Sequence, residues 1–184
     1  MIKNNRTKHP IQIYWEAYGG WKAIFHSYYF GVSIIITFLC INFWLNDSSW
    51  IETPLSGLPS LLGFSLGGYA VWLSIGDEKL KKLLSQTNGH TDHSDFIVVN
   101  ATFIHFIFLQ IISYIYLFIL KAKPLSHAID FYELTCFHCL MLVSTFFNFL
   151  GFLLFTYSII SMLAAVLAIF QIANWTDAIN KSQK

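Results

Sequence analysis

The chain has 184 residues, of which 11 % are charged and 55 % hydrophobic, with 18 Phe, 9 Tyr, 6 Trp and a formal net charge of +1. Globular proteins carry roughly 25 % charged residues, so a soluble surface of this size would lack polar cover, and so small a net charge excludes bulk attraction to nucleic acid. Three cysteines in mostly apolar surroundings, Cys40, Cys136 and Cys139, do not form a secreted disulfide framework.

Most of the charged residues lie in short stretches between long apolar runs. Residues 1–22 hold Lys3, Arg6, Lys8, Glu16 and Lys22 and form an N-terminal segment. Within it, Ile11, Ile13, Tyr14, Trp15 and Tyr18 make an amphipathic, aromatic patch. Gly19-Gly20 separates this patch from the first long run, so it either lies in the membrane interface as an anchor or packs on the ends of a bundle. The run that follows is longer than a signal-peptide core and no cleavage pattern follows it, which predicts a retained span.

A helix that crosses hydrocarbon needs about 20 apolar residues. Spans are predicted over 23–45, 55–76, 96–120 and 135–157. They are helices because lipid offers backbone N–H and C=O groups no partner. Pro54 and Pro59 bracket the start of the second span, and Ser94 and Asp95 are good capping types for the third. Nine of the eleven Lys and Arg fall on one side of this arrangement and only Lys121 and Lys123 on the other. The positive-inside rule then puts both termini in the cytoplasm, as in a multi-pass inner-membrane protein. Trp21, Trp44, Trp50, Trp72 and Trp175 fall near the predicted interfaces.

The fourth run stays apolar from about Thr135 to Ala173. Some 39 residues at 1.5 Å each reach about 58 Å, nearly twice the hydrocarbon core. Residues 158–184 are therefore expected to leave the membrane as a helix extension and tail, with Met162, Leu163, Val166, Leu167 and Phe170 covered by other subunits or by a partner. A kink near Gly151 is the alternative. On the second span, Ser60, Gly63, Gly67 and Gly68 form a small-residue face that lets another helix approach closely. The expected fold is an all-α, four-helix membrane bundle with an extended fourth helix, assembled as a homo-oligomer.

Asp77, Glu78, Lys79, Lys81 and Lys82 follow the second span and are the candidate docking surface for a cytoplasmic partner, or simply a solvated helix end. Polar residues inside the spans are Asn42, Asn100, His105, Gln110, Ser113 and Asn148. Such groups usually face protein or water. His105 and Asn148 sit near mid-span and would either line one polar seam or make separate interhelical hydrogen bonds. No Asp, Glu, Lys or Arg lies mid-span, which weighs against proton-coupled transport and charged-ring ion filters.

Cys136 and Cys139 have a spacing that can hold zinc or form a disulfide, with His138, His127 or Glu133 as further ligands. No second cysteine pair completes the usual zinc arrangement, and two small packing residues are the simpler reading. His90, Asp92, His93 and Asp95 form a polar turn. No phosphate loop, nucleophile elbow or helical zinc-protease motif occurs. No catalytic residue, metal site or cofactor is expected, and no direct binding of nucleic acid.

The segment Pro59-Ser60-Leu61-Leu62-Gly63-Phe64-Ser65-Leu66-Gly67-Gly68-Tyr69-Ala70, running on to Gly76-Asp77-Glu78-Lys79, is the most distinctive stretch. With the small size, four spans, short loops and cytoplasmic ends, it resembles the membrane subunit of the Kiwa anti-phage defence system. The resemblance implies a homo-oligomeric inner-membrane sensor that holds a cytoplasmic DNA-binding partner. The expected function is thus a non-enzymatic membrane sensor or scaffold in antiviral defence, surrounded by lipid. A small oligomeric channel lined by residues such as Ser144 and Asn148 is the alternative, and a membrane thiol-redox protein using Cys136 and Cys139 is a second one.

Overall fold

The computed structural model describes residues 8–46, 48–75, 84–85, 93–122 and 137–182. Among them the structure is helical throughout, with no strand. The elements are α1 (Pro10–Tyr18), α2 (Gly20–Phe25), α3 (Tyr28–Leu39), α4 (Ile41–Asn46), a 3-10 turn (Ser48–Ile51), α5 (Glu52–Ile75), α6 (Asp95–Lys121) and α7 (Phe137–Ser182).

Two of these helices, α6 and α7, are long and apolar enough to cross a membrane. A third crossing arises if Pro10–Phe25 and Tyr28–Leu39 are one span, bent by 46° at the break between them. The single helix expected over 23–45 is thus three shorter ones. Local hydrogen bonding accounts for much of this. Ser33 Oγ donates to Tyr29 O at 2.7 Å and Thr37 Oγ1 to Ser33 O at 2.8 Å, a back-bonding that bends helices. At the break after Leu39 the Trp44 indole Nε1 donates to Thr37 O at 2.9 Å.

α5 is 24 residues long, about 36 Å, yet it is not among the membrane-capable helices because Gly, Ser and Pro dilute its apolar content. Both prolines lie within it. Pro54 sits in the first turn, where a missing N–H costs little, whereas Pro59 is interior and removes one helical hydrogen bond. Ser94 holds the N-cap position of α6 with extended backbone, though its side chain makes no capping hydrogen bond. α7 runs unbroken for 46 residues, about 69 Å, through Gly151.

α6 is the hub of the fold: α7, α5 and α1 all pack on it, while α3 packs on α7. Near the Lys121 end of α6, Trp44, Trp50, Ile51, Leu58, Leu117 and Phe152 form one buried cluster. Toward the Asp95 end, Phe103, Phe106, Ile107 and Ala165 form another, with Leu62, Tyr69, Trp72 and Met162 against it. Lipid removes any hydrophobic drive between helices, so their contact depends on close fit. Gly151 provides that fit. A Cβ there would lie 2.8 Å from Leu120 Cδ1 and 3.1 Å from Tyr116 Cε1. Beside it, Tyr116 Oη donates to Phe147 O at 3.1 Å. Trp44 and Trp50 are interior, 4 % and 1 % exposed, rather than displayed at an interface.

Candidate functional site

The N-terminal patch makes a specific long-range contact with α6. Pro10 opens α1, where its fixed φ suits the first turn, and His9 and Gln12 cap it reciprocally. Tyr14 and Tyr18 lie four residues apart, on one helical face. That face is laid against α6, so α1 packs on the bundle. Gly19 and Gly20, with φ of +96° and +61°, let the chain reverse directly after it. Trp15 then packs edge-on against Trp21 across the turn.

His105 is the receptor for this face. It is 5 % exposed. Its Nδ1 lies 2.8 Å from Tyr14 Oη, and its Nε2 lies 3.4 Å from Tyr157 Oη on α7. The Tyr18 ring stacks on the imidazole at a centroid distance of 3.7 Å and an interplanar angle of 16°. The Tyr18 and Tyr157 phenols lie near each other on either side of the imidazole. Phe30 of α3 packs edge-on against Tyr157. One histidine thus joins α1, α6 and α7. A neutral imidazole donates through one nitrogen and accepts through the other, and a phenol can do either, so both tautomers are satisfied. Such a chain of phenols and imidazole can clamp three helices, and it can pass a proton by exchanging tautomers.

A second polar cluster ties α3 to α7. Thr37 Oγ1 and Thr156 Oγ1 are 3.1 Å apart, and Thr156 also donates to Phe152 O and Leu153 O at 3.0 Å. At the chain's entry to α1, Lys8 Nζ pairs with Glu16 Oε2 at 2.6 Å and His93 Nε2 lies 3.7 Å from the same oxygen. This links the arm to the residues just before α6.

The other polar residues predicted in the spans are dispersed. Asn100 is half-buried; its Nδ2 donates to Phe96 O at 2.7 Å, and its buried Oδ1 has no protein partner. Gln110 is 1 % exposed with neither amide atom paired, and Ser113 Oγ is likewise buried and unpaired. Asn148 is half-buried. His105 meets Tyr157, nine residues and about 13.5 Å along α7 from Asn148.

The small-residue face of α5 points away from the other described residues. Ser60, Gly63, Gly67 and Gly68 are exposed, and a Cβ on any of the three glycines would meet nothing within 4 Å. On α7, Leu163, Val166, Leu167 and Phe170 are exposed, whereas Met162 is partly buried against the Phe103–Phe106 cluster. Asp77, Glu78, Lys79, Lys81 and Lys82 lie outside the described residues, as do Cys136, His127 and Glu133 and the side chains of His138 and Cys139.

Tyr157 is the site residue that sequence patterning passes over, while Tyr14 and Tyr18 read as part of the aromatic patch and not as partners of His105. The signal was present in two forms: the four-residue spacing of Tyr14 and Tyr18, and Tyr157 as an isolated phenol deep in an apolar run. Comparison of the chain with known protein families, with curated proteins and with solved structures finds no match.

Proposed function

We propose that the chain is a four-span, non-enzymatic sensor-scaffold of the bacterial inner membrane, with both termini in the cytoplasm. In this reading α1 to α4 together make one broken crossing, and α5, α6 and α7 make the other three. The protein forms a homo-oligomer and holds a cytoplasmic protein, in the anti-phage role that its resemblance to the Kiwa membrane subunit implies.

The observation that carries this reading is the length and surface of α7. About 69 Å of helix exceeds a hydrocarbon core of about 30 Å by more than a tilt can absorb. Yet Leu163, Val166, Leu167 and Phe170 remain 50–62 % exposed in the single chain. Met162 and Ala165 pack level with Phe103 and Phe106 of α6, so it is the end of this apolar stretch, toward Phe170, that passes beyond the lipid and needs protein to cover it. Neighbouring copies and a partner supply that cover, with the open face of α5 as a second contact between copies. The clamp at His105 supports a sensing role, because it makes α1 respond to any movement of α6 against α7.

The test is the mass of the complex extracted in mild detergent. A scaffold gives a multiple of the 21.2 kDa chain with a cytoplasmic protein bound to it. A single chain recovered alone under gentle conditions overturns the reading. The rival, an oligomeric channel, draws on Gln110 and Ser113, whose unpaired buried groups suit a wet path. Steady conductance from the purified chain in planar bilayers would favour it over the scaffold.

A further inference from the structure

Two clefts meet on the surface of α6 near its Lys121 end. The first, about 620 Å³, has Glu52, Leu55, Ser56, Tyr114, Phe118 and Lys121 in its lining. The second, about 250 Å³, is lined by Tyr114, Ile115, Phe118 and Ile119. They share Tyr114 and Phe118, which lie one helical turn apart. Together they make one groove, charged at one end and apolar at the other.

The charged end is built from two helices. Glu52 is the first residue of α5 and Lys121 the last of α6. Lys121 Nζ lies 2.8 Å from Glu52 Oε1 and 3.0 Å from Glu52 Oε2. The Lys121 and Glu52 side chains are 50 % and 63 % exposed among the described residues, so the pair is not sealed. An ammonium has three N–H donors and a carboxylate about four lone-pair sites. Their mutual contact therefore leaves each with capacity for a further partner.

Depth and charge together identify that partner. In a helix that crosses a membrane, the last residue stands among the headgroups. Phe118 and Tyr114 lie about 4.5 Å and 10.5 Å deeper along α6. The groove thus runs from headgroup level to acyl-chain level, the order of parts in a phospholipid. A lone lysine would draw any phosphate. Here a carboxylate stands beside the ammonium, and it repels a headgroup whose only charge is negative. A zwitterionic headgroup meets both charges with an opposite one, and each contact is a charge-assisted hydrogen bond.

We propose that this groove holds one zwitterionic phospholipid, with its phosphate against Lys121, its amine against Glu52 and an acyl chain over Phe118 and Ile115. The site needs α6 to cross a membrane and is independent of oligomer state and partner. Bound there, the lipid ties the start of α5 to the end of α6.

The experiment is native mass spectrometry of the full chain released from nanodiscs that contain equal amounts of phosphatidylethanolamine and phosphatidylglycerol. The wild-type chain retains one phosphatidylethanolamine, several-fold over phosphatidylglycerol. Glu52→Gln leaves Lys121 alone and shifts retention several-fold toward phosphatidylglycerol. Lys121→Gln loses the bound phosphatidylethanolamine. Ser56→Trp fills the cleft with the ion pair in place, and loses it too. Exposed ion pairs add little to stability, so the charge variants fold; if one does not, the wild-type comparison decides alone. Equal retention of the two lipids by the wild type, a preference for phosphatidylglycerol, or retention of neither because another part of the chain fills the groove overturns the site. A chain that needs neither detergent nor lipid would instead overturn its placement in the membrane.

Discussion

Tyr14 and His105 are 91 residues apart in sequence, yet their polar atoms lie 2.8 Å apart. This pair ties the N-terminal arm to α6. Its neighbours share the load: Tyr18 stacks on the same imidazole and Tyr157 approaches its other nitrogen.

Substitution of His105 should therefore release the arm without unfolding α6. Hydrogen bonds between membrane helices contribute about 0.6 kcal/mol each, and a stacked aromatic pair about 0.5–1.5 kcal/mol. His105→Leu is expected to weaken arm docking by about 2 kcal/mol, and Tyr14→Phe by about 0.6 kcal/mol. Limited proteolysis between residues 8 and 27 measures this. Faster cleavage is expected in both variants, in that order, while helical content stays constant.

The turn after the arm should be as sensitive as the clamp. Gly19 and Gly20 both have positive φ, where a side chain costs roughly 1–2 kcal/mol. At Gly20 a Cβ would also lie 3.2 Å from the Trp15 indole nitrogen. Gly20→Ala is expected to mimic His105→Leu in the proteolysis assay.

How much of this could be read from the chain alone differs from element to element. The apolar run that became α6 announces itself, because it has few polar interruptions and a capping residue at Ser94. The first run does not. Its apolar composition is continuous through Ile34, Ile35 and Ile36, while the breaks at His26–Ser27 and Cys40 carry no proline. At Cys40 the Trp44 indole takes up Thr37 O, and at the first break His26 Nδ1 lies 3.0 Å from Lys22 O. His105 stood out as a polar residue among apolar ones, but its three phenols come from α1 and α7. Periodicity within a helix holds no information on such distant partners.

Two classes of glycine should respond in opposite ways. Gly151→Leu would force α6 and α7 apart, because a Cβ already comes within 2.8 Å of Leu120. Overpacking of this kind costs about 1–3 kcal/mol. A Cβ at Gly63 or Gly67 meets nothing within 4 Å among the described residues, so leucine there is expected to be tolerated within the chain. Thermal unfolding in detergent should fall for Gly151→Leu alone. If α5 faces a second copy, the Gly63 and Gly67 variants should instead lower the mass of the complex while each chain keeps its own stability.

The hydroxyl cluster between α3 and α7 gives a milder test. Thr156→Val keeps the shape but removes the contact with Thr37 and the bonds to Phe152 O and Leu153 O. The two carbonyls retain their helical partners, so the loss is the interhelical bond, about 0.6–1.7 kcal/mol. Thr37→Val together with Thr156→Val should cost little more than either change alone, which a double-mutant cycle of unfolding measures.

The number of crossings is settled most directly by locating the loops. Reporter domains fused at residues 1 and 184, and inserted near residues 47, 86 and 127, show the side of the membrane on which each lies. Four crossings place residues 1, 86 and 184 in the cytoplasm and residues 47 and 127 outside. A reporter at residue 47 found on the same side as residue 1 would contradict the broken first span, and with it the four-span scaffold.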